Sequence, residues 1–112
     1  QINAYVSSVK INHGVMIAPN CALYPHTHGL EYGLPIREQP LKSQGPIVID
    51  DEAWLGFGVI VLGGVRIGKG AAIGAGAVVA SDVPDNAVAV GNPAKVIRFR
   101  NALTKSTPKK SL

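Results

Sequence analysis

Two histidines one residue apart, His26 and His28, together with His13 and the single thiol Cys21, are the side chains of this chain best suited to chemistry at neutral pH. An imidazole can take up and return a proton near neutrality. Three imidazoles are also enough in number for a zinc site, although a His-x-His pair on an irregular loop is common without metal. No Ser or Cys is marked as a nucleophile paired with a base. Cys21 reads as a buried small hydrophobe, and one cysteine excludes an internal disulfide framework. The net charge is +4, and Lys95, Arg98, Arg100, Lys105, Lys109 and Lys110 crowd the C-terminal segment. Positive charge there would attract a polyanionic ligand. No set of aromatic residues interleaves with it, which argues against nucleic acid as the partner. The last lysines sit among Ser, Thr and Pro, so residues 101–112 are expected to be a disordered, solvated basic tail.

The elements that must hold these residues follow from a period of six. An aliphatic residue recurs at Ile49, Leu55, Val61, Ile67, Ile73 and Val79. The fifth residue of each six is small or β-branched: Ala53, Val59, Val65, Ala71, Ala77 and Val83. A helix would need apolar residues three and four apart, and its interior would not tolerate Gly56, Gly58, Gly63, Gly64, Gly68, Gly70, Gly74 and Gly76. Two inward points per six residues suit short flat strands separated by corners and stacked into a prism, the signature of a parallel β-helix. The register extends backward through Ile11–Met16 and Ile17–Ala22, with Leu23 opening another repeat and Cys21 at an inward fifth position. Tyr5 to Lys10 fits less well.

Between Tyr24 and Pro46 the period fails, and Pro25, Gly29, Gly33, Pro35, Pro40, Gly45 and Pro46 occupy the gap. A repeat that stops and resumes predicts a loop extruded from one corner at about residues 24–46, and solenoids place such insertions on a binding face. At 112 residues, residues 1–112 are expected to form one all-β domain, and its opening on Gln1 in mid-pattern, without an initiator Met, fits a fragment, a processed form or an incompletely recorded N-terminus. With 46% hydrophobic but only 5% aromatic residues, Val, Ile, Leu and Ala must fill a slender core. So slender a core favours a homo-oligomer, and a trimer suits a three-sided prism. No apolar run approaches the roughly 20 residues of a membrane span and no signal peptide is visible, so a cytoplasmic protein is expected.

Several segments carry a family resemblance. Ile47-Val48-Ile49-Asp50-Asp51-Glu52-Ala53-Trp54-Leu55-Gly56, Ile73-Gly74-Ala75-Gly76-Ala77-Val78-Val79, Asp82-Val83-Pro84-Asp85-Asn86 and Gly91-Asn92-Pro93-Ala94-Lys95-Val96-Ile97-Arg98 resemble the hexapeptide-repeat acetyltransferases. The nearest branch is that of the maltose, galactoside, Nod-factor and surface-polysaccharide O-acetyltransferases. The resemblance covers roughly residues 11–100. It implies a left-handed parallel β-helix with a short C-terminal segment, a homotrimer with active sites between subunits, and acetyl-CoA as cosubstrate without a metal.

By the same resemblance, Ala18-Pro19-Asn20-Cys21-Ala22-Leu23-Tyr24-Pro25-His26-Thr27-His28 puts the general base at His28, with His26 as the second candidate, orienting substrate or supporting the fold. The acceptor hydroxyl would lose its proton to His28 as its oxygen attacks the thioester, with no acyl-enzyme. The oxyanion donor implied is the backbone N–H of Phe57, after the Trp54-Leu55-Gly56 step. Trp54 would floor the acceptor cleft and stack on a sugar, or cover a patch between subunits. For the cofactor, Ala75 is an implied contact, Ala80 and Ser81 lie toward the nucleotide end, and Lys95 and Arg98 reach the phosphates. Gly56, Gly58, Gly74 and Gly76 permit close approach of the pantetheine arm. Two positions depart from the family pattern. Ala80-Ser81 replaces the usual Thr-Lys pair, and Lys95 stands where some members carry Arg. Glu31, Tyr32, Arg37 and Glu38 on the loop are the candidate acceptor-facing residues. Other readings of the same coil are an antibiotic acetyltransferase, a non-catalytic scaffold, and a γ-type carbonic anhydrase using its histidines on zinc.

Overall fold

A computed structural model of the chain describes residues 8–100. Tyr5, at the weak end of the repeat, and the tail at 101–112 lie outside the described residues. The order is β1 (Val9–Ile11), β2 (Met16–Ile17), β3 (Ala22–Tyr24), β4 (His26–His28), β5 (Leu41–Ser43), β6 (Ile47–Ile49), β7 (Trp54–Leu55), β8 (Ile60–Leu62), β9 (Arg66–Ile67), β10 (Ala72–Ile73), β11 (Val78–Val79), β12 (Ala87–Val90) and β13 (Lys95–Phe99). No α-helix occurs among the described residues.

Successive strands visit three sheets in rotation. The first sheet runs β1-β6-β9, the second β2-β7-β10-β12, and the third β3-β8-β11, all with parallel pairing. Ile49 pairs with Ile67, Leu55 with Ile73 and Val61 with Val79, so one circuit consumes three hexapeptides. Both series of predicted inward residues from Ile49 to Val83 are buried. Cys21, Leu23 and Ile47 join that core. The buried pattern therefore resumes at Ile47, slightly before the clean run of sixes. Each such aliphatic side chain contributes about 1.5–3 kcal/mol on burial. Ile11 and Ile17 hold the same register yet are 38% exposed. They lie on edge strands of the stack, where only one side has a neighbouring strand.

A second regularity marks the fourth residue of seven hexapeptides, those opening at Ile11, Ile17, Ile49, Leu55, Val61, Ile67 and Ile73. Gly14, Asn20, Glu52, Gly58, Gly64, Gly70 and Gly76 all have φ between 60° and 79°. A left-handed residue lets the chain turn a corner at a cost only Gly escapes, and Asn tolerates it better than most. Asn20 and Glu52 are the substitutes.

At the far end β13 turns back antiparallel on β12, pairing Val90 with Lys95 and Val88 with Arg98. Beside the first sheet, a polar ladder runs along the stack. Asp50 accepts from Asn12 Nδ2 at 3.0 Å, and Arg66 bridges Asp50 and Asp85 at 2.5 and 3.3 Å.

Candidate functional site

The sequence predicts an extruded loop between Tyr24 and Pro46, yet part of this interruption is regular. β4 and β5 pair antiparallel, His26 opposite Ser43 and His28 opposite Leu41, and form a short ribbon. Its foot is fixed by Gln44 N–H donating to the Pro25 carbonyl and Gly64 N–H to the Gly45 carbonyl. A Cβ at Gly63 would come within 2.6 Å of the Pro25 oxygen, so a bare backbone is needed where the ribbon leaves the stack. The His-x-His pair therefore sits on a strand. Alternation along that strand separates Thr27 from both histidines.

His28 is exposed at the end of β4. Its Nδ1 lies 3.1 Å from the backbone carbonyl oxygen of Gln39. A carbonyl can only accept, so Nδ1 carries the proton in this bond, and in the neutral ring the lone pair is left on Nε2. His26 is half-buried, and its ring meets that of Tyr24 edge-on at 6.5 Å.

Beyond β4, the chain passes over the exposed Leu30, Tyr32, Leu34 and Ile36 and a single 3-10 turn at Ile36–Glu38. Glu31, Arg37 and Glu38 on this apex are also exposed. Gln39 alone is buried there, at 7% exposure.

The implied cofactor residues fall on two corners and one sheet. Phe57 lies between the second and third sheets, where the Gly76 N–H donates to its carbonyl at 2.8 Å. Pro19 holds the equivalent place one circuit earlier, accepting from Gly58 N–H at 3.0 Å. Ala75 follows one circuit after Phe57, and one circuit beyond it the turn after β12 docks on β11, with Val78 N–H donating to Gly91 O and Ala94 N–H to Val78 O. Pro19, Phe57, Ala75 and the Gly91–Lys95 turn thus form a column along one edge. Phe57 and Ala75 are exposed, and no hydrogen bond among the described residues uses the Phe57 N–H. Lys95 begins β13 at the column's basic end, and Arg98 lies further along the same exposed strand. A Cβ on Gly58 or Gly76 would meet nothing within 4 Å, so this edge is open to a ligand backbone.

Ala80 and Ser81 follow β11 at the other corner of the third sheet, the one from which the His ribbon emerges. Within one chain, then, His28, Ala80 and Ser81 share one edge, while Phe57, Ala75 and Lys95 share another. Trp54 is half-buried on the outer face of the second sheet, in one row with Met16 and Ala72. His13 lies between β1 and β2, on a different corner from the ribbon. Among the described residues no three His, Cys, Asp or Glu side chains gather as a metal site. Nor is any helix among them long and apolar enough to cross a membrane.

Gln39 escaped the sequence reading, because a lone Gln in a Pro-rich stretch carries no signal until the fold buries it. The left-handed fourth position was available in the spacing of Gly58, Gly64, Gly70 and Gly76.

Parallel strands on three faces, with hexapeptide register and a basic closing strand, define a hexapeptide-repeat protein. Residues 46–81 match the family described as bacterial transferase hexapeptide (six repeats), and the chain belongs to the hexapeptide-repeat acetyltransferase family. A Schizosaccharomyces pombe protein, itself named only provisionally as an acetyltransferase, is 48% identical over 93 residues, 83% of this chain and 44% of its own length. Galactoside O-acetyltransferase of Lactococcus lactis is 41% identical over 85% of this chain and 45% of its own. A solved galactoside acetyltransferase in complex with coenzyme A superposes with a TM-score of 0.77 at 36% identity, over 92% of this chain and 53% of that one. The chain spans about half the length of the relatives it matches.

Proposed function

We propose that the chain is the catalytic β-helix of an acetyl-CoA-dependent O-acetyltransferase acting on a sugar or glycan hydroxyl. The single observation carrying this reading is the His28 Nδ1–Gln39 carbonyl bond, which presents a basic Nε2 to solvent at the edge of the stack. The names of the Lactococcus galactoside enzyme and of the coenzyme A complex support the donor and the acceptor class.

In this reading acetyl-CoA supplies an activated acyl group. His28 Nε2 takes the proton of the acceptor hydroxyl as the oxygen bonds to the acyl carbon, and returns it to the departing sulfur. The Phe57 N–H meets the negative charge that builds on the acyl oxygen. Ala75, Gly58 and Gly76 leave room for the pantetheine arm along the column. Lys95 and Arg98 offer their cations to its phosphates, Lys95 as a point charge without the bidentate fork of Arg.

The coil is taken to be a left-handed parallel β-helix and the assembly a homotrimer. The separation of His28, Ala80 and Ser81 from Phe57, Ala75 and Lys95 on two edges supports this, since a neighbouring copy would bring one set against the other. Residues 8–100 behave as one domain in this account, and cytoplasmic residence fits its cosubstrate.

The test is coenzyme A release from acetyl-CoA over a panel of sugars, nucleotide sugars and antibiotics, run beside His28→Ala. That substitution is expected to lower turnover by at least about 100-fold. Undiminished turnover would remove the mechanism, and antibiotic acceptors outrunning every sugar would change the substrate class.

A further inference from the structure

Gln39 is the one polar side chain buried among the described residues, and all of its hydrogen-bonding groups are engaged with the loop that carries the base. Its Oε1 accepts from Glu31 N–H at 2.9 Å, while its Nε2 donates to Glu31 O at 3.2 Å and Leu34 O at 3.0 Å. Its own N–H donates to Ile36 O, closing the 3-10 turn. Its carbonyl takes the remaining bond, from His28 Nδ1. The Gly29 N–H donates to Pro40 O at 3.1 Å and ties the start of the loop to its end. A Cβ on Gly29 would come within 2.5 Å of Gln39 Oε1 and 3.1 Å of its Cβ. Residue 29 must therefore be bare for the amide to remain where it is.

We propose that Gln39 is a positioning residue for His28. Its buried amide clamps the 31–34 apex and so holds its own carbonyl on Nδ1, keeping the Nε2 lone pair of the base unprotonated and aimed outward. This rests on the reading of His28 as general base. Removing the amide leaves the Glu31 N–H and the Glu31 and Leu34 carbonyls without the partner they have in the folded loop. The 29–39 segment relaxes so that water reaches those groups, and the Gln39 carbonyl leaves the imidazole. A released imidazole exchanges between its two tautomers, and the Nε2–H form cannot accept the hydroxyl proton. The same clamp spans Glu31 to Leu34, so the apex beside the base is held by the same side chain.

The experiment is a long-range ¹H–¹⁵N correlation spectrum of the whole chain labelled at histidine, with His28 assigned by loss of its signals in His28→Gln. The wild type is expected to show a protonated Nδ1 and an unprotonated Nε2. Gln39→Met, isosteric but without the amide, is expected to average the two nitrogens. Gly29→Ala reaches the same end by a separate route, since its methyl displaces the amide tip. It also carries the measurement if Gln39→Met does not fold. Gln39→Glu keeps the acceptor for Glu31 N–H and is expected to restore part of the wild-type pattern. With acetyl-CoA and methyl β-galactoside, both disruptive variants are expected to lose at least about 10-fold in kcat, a share of what a positioned base supplies, with KM for acetyl-CoA unchanged. Folded variants that retain the wild-type tautomer while His28→Gln is inactive would overturn the role of Gln39 alone. Turnover surviving in His28→Gln would remove the parent reading as well.

Discussion

The carbonyl of Phe57 accepts the N–H of Gly76 at 2.8 Å, locking two successive turns of one edge into a single column. His28 rises from a different edge of the same stack. In the proposed homotrimer, a site needing both would draw them from two copies of the chain. Ala75 is exposed beside Gly76, so Ala75→Trp is expected to fold yet obstruct the column. His28→Ala and Ala75→Trp, each inactive alone, are then expected to regain part of the wild-type turnover after being unfolded and refolded together, because some mixed sites carry neither lesion. A mixture as inactive as its components would show that the site does not cross between chains.

The basic end of that column lies on β13. Lys95→Ala and Arg98→Ala are each expected to raise KM for acetyl-CoA about 3- to 10-fold, the scale of one exposed charged contact. The increase should vanish with acetyl-pantetheine, which lacks the phosphates. Equal increases with both donors would mean that the two residues act on folding or assembly instead.

His26 stands two residues from His28, the proposed base, but packs against Tyr24. His26→Ala is expected to lower the thermal midpoint and to change kcat less than about 10-fold, well short of the loss of a general base. If its kcat instead falls as far as that of His28→Ala, the base moves to His26.

Along the first sheet, Asp50 is held at a pKa of about 2, from an ordinary 3.8, by the hydrogen bond from the Asn12 amide, then by the Asp51 N–H and Arg66. A carboxylate lowered on folding stabilises the native state fully above its unfolded value, and that contribution is lost as pH falls through the folded value. Wild type is therefore expected to exceed Asp50→Asn in thermal midpoint near neutrality, with the gap closing between about pH 4 and 2. A gap constant over that range would detach the ladder from the ionisation of Asp50.

The fourth position of the repeat offers a test of the backbone. Gly58 has φ +70° and open space around it, so Gly58→Ala is charged only for conformation, about 1 kcal/mol. Gly70→Ala adds a contact of 2.5 Å with Asn86 Oδ1 to the same strain, and is expected to cost more in urea unfolding. Equal costs would mean that Asn86 gives way freely.

Most of the stack was legible in the chain. Ile49 to Val83 announced their burial because a parallel coil repeats one environment every six residues, and local spacing suffices to express it. The position of the insertion was legible for the same reason, as the place where the period breaks. His28 could be singled out only by likeness to a family, since one imidazole carries no period. The ribbon of β4 and β5 was hidden, because antiparallel pairing of His26 with Ser43 joins segments separated by a loop of no regular pattern.

What the sequence determined by itself was the repeat: which residues turn inward, and where glycines can make corners, both being local consequences of backbone and side-chain type. The tertiary structure alone decided that Gln39 is buried, that its carbonyl meets His28 and its amide meets Glu31 and Leu34, and that Phe57 stands on another edge. Those relations depend on how a folded loop closes on itself and how circuits stack, and no short window of residues contains that geometry.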